Sequence, residues 1–243
     1  MPTRGGIDAR RVCERLGPLL LDERRARIDA AAASRLRGLR VVIENLHDPH
    51  NGAAVLRSAE AFGVQRVEVI ETVERFRYSS TVTQGCEKWL DVVRHSSTAA
   101  AMIGLRSEGF AIYAAVPGAS VALDDLDFSR PAAVMVGNEH DGLTAEAIAA
   151  ADVRFGIPMY GLTQSLNLSV ATALIVERAS AMRRRALGKP SDLDDEAVLA
   201  LRARFYVASV RGADAVLARA ERSDGNPEGG PAPSRAAAPD LVS

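Results

Sequence analysis

Cysteine is scarce in this chain of 243 residues, with only Cys13 and Cys86 present. Two thiols cannot supply a disulfide scaffold or a cysteine-rich zinc site. The four histidines, His47, His50, His95 and His140, have no H-x-x-x-H spacing, so we expect no bound metal. Aromatic residues make up 5% of the chain, and the core must therefore be built from Ala, Val, Leu and Ile. No apolar run reaches the roughly 18 residues that a membrane-spanning helix requires. Leu19-Leu20-Leu21 is too short for the centre of a secretory signal and is flanked by charge, so a cytoplasmic location is expected. The sequence also lacks G-x-G-x-x-G, the P-loop, G-x-S-x-G and H-E-x-x-H. A nicotinamide enzyme, an NTPase, a serine hydrolase and a zinc hydrolase all lose ground with them. The glycine-rich first-strand signature of ordinary nucleotide-type methyltransferases is missing too.

Charge of one sign is absent overall but not locally. The net charge is −1. Residues 1–40 nevertheless carry ten arginines against five carboxylates, a local excess of five. Arg183, Arg184 and Arg185 form a second basic run. A basic appendage on a neutral body suits a phosphate backbone, and a solvated arginine-rich helix would have the same composition.

Hydrophobic residues, at 47%, suffice for one sizeable domain. Apolar runs predict strands at Arg40–Glu44, Val64–Ile70, Asp91–His95, Phe110–Val116, Ala132–Val136 and Val153–Ile157. Helical spacing predicts helices over 8–33 (interrupted at Gly17-Pro18), Ala53–Phe62, Thr98–Glu108, Thr144–Ala151, from Ser165 to Arg185, and within 192–220. Residues 71–88 read as irregular and mobile, with Arg75, Phe76, Arg77 and Tyr78 exposed, and 124–128 as a connection. The alternation predicts a doubly wound, parallel α/β domain over 38–187. A basic helical extension (1–37), a C-terminal helical extension (188–222) and a disordered Pro/Ala-rich tail (223–243) flank it.

In such sheets ligands sit outside the carboxyl ends of the strands. Three polar loops are predicted there: 45–51, 137–142 and 157–165. The last belongs to I-P-M-Y-G-L-T-Q-S-L-N-L-S-V, where Pro158 and Gly161 end a strand and Ser165 is a candidate helix N-cap. Such a junction presents free N–H groups to a ligand, although capping alone would also explain Ser165 and Asn167. Glu139, directly after an apolar strand, calls for a partner, an arginine being the natural candidate, unless it is an exposed turn carboxylate. Arg57 follows Asn51 by six positions, so the two do not share one helical stripe. Taken alone, Arg57 reads as an ordinary surface arginine paired with Glu60.

Three segments taken together resemble the SpoU (TrmH) branch of the SPOUT RNA 2′-O-ribose methyltransferases. They are E-N-L-H-D-P-H-N-G-A-A-V-L-R-S-A-E-A-F-G-V at 44–64, V-M-V-G-N-E-H-D-G-L at 134–143, and I-P-M-Y-G-L-T-Q-S-L-N-L-S-V-A at 157–171. G-C-E-K-W-L-D-V at 85–92 and Q-S-L-N in the third segment bring the chain nearest to members acting on guanosine 18 of tRNA. Asn138 and Gly52-Ala53 depart from the commoner pattern without touching a presumed catalytic position, and the tail has no counterpart.

The resemblance implies a SPOUT fold with a C-terminal deep trefoil knot, S-adenosylmethionine bound in the knot, and a homodimer whose active sites are completed across the interface. It implies methyl transfer to a ribose 2′-hydroxyl. The carried-over catalytic set is Arg57, Asn51, Glu139, Ser165 and Asn167. Gly137, Ile157, Met159 and Leu166 would hold the cofactor, with Ala115 added from its position at a strand end. Arg10, Arg11, Arg24, Arg75, Arg77 and Lys88 are the candidate contacts to tRNA. Ribosomal RNA or the tRNA wobble nucleotide as substrate, and a non-catalytic RNA-binding protein on the same fold, are the competing readings.

Overall fold

The computed structural model of the chain describes residues 8–73, 75–78 and 83–224. Among the described residues there are seven strands: β1 (Leu36–Glu44), β2 (Val64–Ile70), β3 (Asp91–His95), β4 (Ala111–Ala115), β5 (Val121–Ala122), β6 (Ala132–Val136) and β7 (Val153–Gly156). They form one sheet in the order β3-β2-β1-β6-β4-β7-β5, and every neighbouring pair is parallel. Ile43 pairs with Val136, Ala114 with Met135 and Ala115 with Phe155, so the carboxyl ends of β1, β6, β4 and β7 lie along one edge.

Helices cover both faces, which is why the strands read as continuous apolar runs rather than alternating ones. Along β1, Val41 and Ile43 face one side and Val42 the other. The first side packs Val134 and Phe155 against Leu56 of α3 (Pro49–Ala61) and Ile175, Val176 and Ala179 of α6 (Leu168–Leu187). The second packs Ile112, Ala133 and Met135 under Met102 and Leu105 of α4 (Thr98–Ser107) and Ala147 of α5 (Ala145–Ala150). A third cluster joins the two ends of the chain. Val12 and Leu16 of α1 (Ala9–Leu16) and Ile28 of α2 (Asp22–Ala32) meet Leu201 and Phe205 of α7 (Asp195–Ser209) and Leu217 of α8 (Ala213–Asp224). Among the described residues no helix is long and apolar enough to cross a membrane.

Several expectations are corrected. Helix α3 starts at Pro49, four residues before the predicted Ala53, because Asp48 caps it by accepting from the His50 N–H at 2.8 Å. Helix α6 starts at Leu168 with Asn167, not Ser165, as its N-cap. Residues 121–125 hold the short strand β5 and a 3₁₀ turn next to the predicted connection. Phe76, expected exposed, is buried; its N–H donates to Glu71 and its carbonyl accepts from Arg94. Residues 74 and 79–82 of the 71–88 segment, and the tail from 225 onward, lie outside the described residues, while 223 and 224 close α8.

The basic excess is also smaller at the surface than in the sequence. Arg35 is buried against Glu60 at 2.6 Å, and Arg40 is buried between Glu68 and Glu108 with its guanidinium 4.1 Å from the Phe110 ring centroid. Arg183 is buried on Asp192 and the carbonyls of Phe128 and Ser129, and Arg184 donates to the carbonyls of Ser34 and Phe62. These four cations hold the extensions and the sheet together. Glu68 is 1% exposed. Arg66 at 2.6 Å and His95 at 2.8 Å also meet its carboxylate, so losing Arg40 would not leave that charge unpartnered.

Candidate active site

Each of the three sheet-edge loops is shaped by its own residues. In the first, Pro49 lacks an N–H and fits the first helical position, while Asp48 caps the turn. This places Asn51 in the first turn of α3, 8% exposed and turned toward the second loop.

The second loop folds tightly back. Asn138 and Gly142 exchange backbone hydrogen bonds of 3.1 and 3.2 Å. The Asn138 side chain accepts from the N–H groups of His140 and Asp141 at 2.8 and 2.6 Å. Gly142 takes a φ of +71°. The return crosses so close to Gly137 that a Cβ there would lie 1.9 Å from the Gly142 carbonyl carbon. Only glycine fits at 137. The loop holds Glu139 over the N-terminus of α3. Its carboxylate accepts from the Asn51 side-chain amide at 2.8 Å and from the His47 and Asp48 N–H groups, both at 3.3 Å. The partner is therefore a helix N-terminus and an amide rather than the predicted arginine, an arrangement the helix dipole favours.

The third loop ends at Asn167. Its Oδ1 accepts from the Ser169 N–H at 2.8 Å and the Ser169 hydroxyl at 2.6 Å. Its Nδ2 donates to Asn51 Oδ1 at 3.3 Å. A continuous relay, Glu139 to Asn51 to Asn167, thus ties together loops that are 88 and 116 residues apart in sequence.

Beside the relay is a cavity of about 490 Å³ at the carboxyl ends of β4, β6 and β7. All five expected cofactor residues line it: Ala115, Gly137, Ile157, Met159 and Leu166. Glu139, Ser165 and Asn167 complete its polar rim, with Val116, Leu168 and Ile175 adding apolar wall. Asn138, already noted in the second loop, also lines it, and so does His140, which the sequence does not nominate for the site; the Asx turn within G-N-E-H-D-G is the available signal. Ser165 is exposed at the rim.

Arg57 is not brought to this cavity within the protomer. It is exposed on another side of α3, and its charge acts on the Cys86 thiol, which burial pushes up to about 11. Glu60, its partner in the alternative reading, is met by Arg35 at 2.6 Å. Of the candidate RNA contacts, Arg10, Arg24, Arg75, Arg77 and Lys88 are exposed and Arg11 is half-buried. The Arg24 guanidinium lies 5.5 Å from the Trp89 ring centroid. Among the described residues no group of three or more His, Cys, Asp or Glu side chains could hold a metal ion.

A parallel α/β sheet with a tightly looped cleft at its carboxyl edge, and no glycine-rich first turn, marks a SPOUT-type methyltransferase domain. The chain belongs to the SpoU rRNA Methylase family, whose model matches residues 38–177. It is 37% identical over 164 residues to the tRNA (guanosine(18)-2'-O)-methyltransferase of Escherichia coli K12, covering 67% of this chain and 72% of that one. The enzyme of the same name from Thermus thermophilus is 35% identical over 166 residues, covering 68% and 86%. The crystal structure of the TrmH/SpoU tRNA modifying enzyme of A. aeolicus superposes with a TM-score of 0.69 at 28% identity, covering 78% of this chain and 98% of that one.

Proposed function

We propose that this chain methylates the ribose 2′-hydroxyl of guanosine 18 in tRNA, with S-adenosylmethionine as methyl donor. The relatives named for that reaction cover about two thirds of the chain, and the family model, over residues 38–177, spans all three sheet-edge loops. One observation carries the reading to particular residues: the Glu139–Asn51–Asn167 relay stands beside a cavity lined by every residue expected to hold the donor. About 490 Å³ lies within the 300–1,000 Å³ usual for small-molecule sites. Apolar Ile157, Met159 and Leu166 suit an adenine ring, and the polar rim suits the amino-acid end. Gly137, where no Cβ fits, lets the loop's own return at Gly142 and Leu143 close tightly beside the cavity.

The bound donor supplies an electrophilic methyl group on a sulfonium. A ribose hydroxyl attacks poorly until its proton is drawn away, so the protein must stabilise negative charge on that oxygen. We assign this to Arg57, whose guanidinium offers positive charge and N–H donors to the developing alkoxide. Asn51 and Glu139 hold the first two loops in register, and Ser165 and Asn167 present a hydroxyl and an amide to the ribose side.

Arg57 lies away from its own cavity, so the reading includes a homodimer in which a second copy supplies it. Leu166, Val170 and Leu174 support this: four residues apart, they form an exposed apolar stripe along α6 and its approach. We further place the 157–167 segment in a trefoil knot. Gly156 passes within 3.3 Å (measured from an added Cβ) of the Val116 and Ala119 carbonyls, in keeping with a chain threaded past the 116–119 loop. The proposed organisation is an RNA-binding extension at 1–37, the methyltransferase domain at 38–187 and a helical extension at 188–222, in a cytoplasmic protein. Arg10, Arg11, Arg24, Arg75, Arg77 and Lys88 are assigned to tRNA phosphate.

The test is to treat unmodified total tRNA and defined ribosomal transcripts with the purified protein and S-adenosylmethionine, then map 2′-O-methylation. Methylation confined to guanosine 18 is expected. Modification of a wobble nucleotide or of ribosomal RNA instead would replace the substrate, and no modification of any RNA would overturn the reading.

A further inference from the structure

Glu44, the last residue of β1, is 1% exposed, and among the described residues no arginine or lysine donates a hydrogen bond to it. Its carboxylate is instead filled by three donors. Oε1 accepts from the Thr98 hydroxyl at 2.7 Å and the Thr144 hydroxyl at 2.9 Å, and Oε2 accepts from the Thr144 N–H at 2.8 Å. A buried carboxylate costs several kcal/mol in desolvation unless such donors replace water, and a strand end is an unusual place to put one. Its position explains what it does. Thr144 is the residue at which the second site loop ends and α5 begins. That loop starts at Gly137, directly after Val136, which is paired with Ile43 next to Glu44.

We infer that Glu44 is a positioning residue for the donor-binding loop. The loop is fastened at three places: its own Asn138–Gly142 bridge, Glu139 on the first loop, and Thr144 on Glu44. The Thr144 fastening decides where Gly142 and Leu143 pass over Gly137, the contact that leaves no space for a Cβ. Without it the return strand can lift, and Gly137 and Glu139 lose their places at the cavity. Glu44 touches neither cavity nor relay, so its effect passes entirely through Thr144.

The donor side of this inference rests on the proposed function, but its first measurement does not. In the full-length protein without ligand, Glu44→Gln keeps the shape and one acceptor while removing the charge. Amide hydrogen exchange at Asn138, Gly142 and Thr144 is expected to quicken about tenfold or more, with β1 and β6 unchanged. Calorimetry with S-adenosylmethionine is then expected to show affinity weakened about tenfold, with the KM for tRNA within about twofold of wild type. Thr144→Val keeps the N–H and loses the hydroxyl, together with its cap on the Ala147 N–H at 3.2 Å, and should show the same pattern in the loop. It also serves if Glu44→Gln fails to fold. Unchanged exchange in the loop, or equal loss of protection across β1 and β6, overturns the inference. Loosened loop amides with no donor binding even by wild type would leave the loop anchor standing and overturn the assignment of the cavity to S-adenosylmethionine.

Discussion

Replacing Asn51 by Ala removes the middle link between Glu139 and Asn167. Two hydrogen bonds go with it. The 2.8 Å bond from Asn51 to the Glu139 carboxylate is charge-assisted and worth about 1.5–3 kcal/mol. The 3.3 Å bond from Asn167 is long and neutral, worth about 0.5 kcal/mol. Glu139 keeps the His47 and Asp48 N–H groups, and Asn167 is exposed enough for water to take the vacated place. The global stability loss should therefore stay near the lower sum, about 2 kcal/mol. Catalysis should suffer more. If both bonds must be in place for the loops to be in register in the transition state, a loss of about 2–3 kcal/mol corresponds to roughly 30- to 200-fold in turnover. The assay is methyl incorporation into a tRNA transcript at saturating donor, alongside urea unfolding. A variant that unfolds as wild type does and turns over within about threefold of it would refute the relay as a positioning device.

Gly137→Ala places a Cβ 1.9 Å from the Gly142 carbonyl carbon, so the loop must open; calorimetry should find donor binding lost while circular dichroism shows the sheet intact. Leu174→Glu puts a charge on the exposed α6 stripe, and light scattering should report a monomer whose methylation is lost. The Cys86 thiol, pushed up to about 11 by burial, stays protonated at neutral pH. Alkylation by iodoacetamide should be slow at pH 7 and climb until the pH nears that value, whereas a plateau near pH 8.5 would contradict the burial argument.

Much of the scaffold is legible in the sequence because it depends on periodicity. Val64–Ile70, Asp91–His95 and Ala132–Val136 begin and end where their apolar runs do. Helix starts are less legible, because several neighbouring residues can cap. Asp48-Pro49 reads equally as a turn and as an N-cap with its first helical residue. Ser165 and Asn167 are both good caps, and the contact of Asn167 with Asn51, 116 residues away, is absent from any local pattern. The arginines err for the same reason: the partners of Arg35 and Arg183 are carboxylates on other elements, so the sequence counts them as surface charge. At the site, the pattern of strands predicts that three loops converge, but the family resemblance is needed to nominate individual residues. Glu44 closes a predicted strand and opens the first family segment, but neither pattern says what its carboxylate meets, since Thr98 and Thr144 are 54 and 100 residues away.

Arg57 is where local geometry and proposed chemistry pull apart, and the conflict can be put to work. Asn51 and Arg57 are six residues apart on α3, which at 3.6 residues per turn sets them about 120° apart around the axis, on different faces. Asn51 is fixed toward Glu139, so no adjustment of one protomer brings both side chains to one cavity. If Arg57 serves the cavity of a second copy, two inactive variants should repair each other. In a dimer of Arg57→Ala with Asn167→Ala, one cavity has its own loops intact and receives an unaltered Arg57 from the other chain. The second cavity is doubly defective. Random re-pairing after mild denaturation makes half the dimers mixed, and each carries one complete site of two, so the mixture should recover about a quarter of wild-type activity. Sites built from one chain would give no recovery at any mixing ratio, because every cavity would then keep its own lesion. Recovery that fails to appear when light scattering and mass tags show the mixed dimers to have formed would remove Arg57 from the neighbouring site.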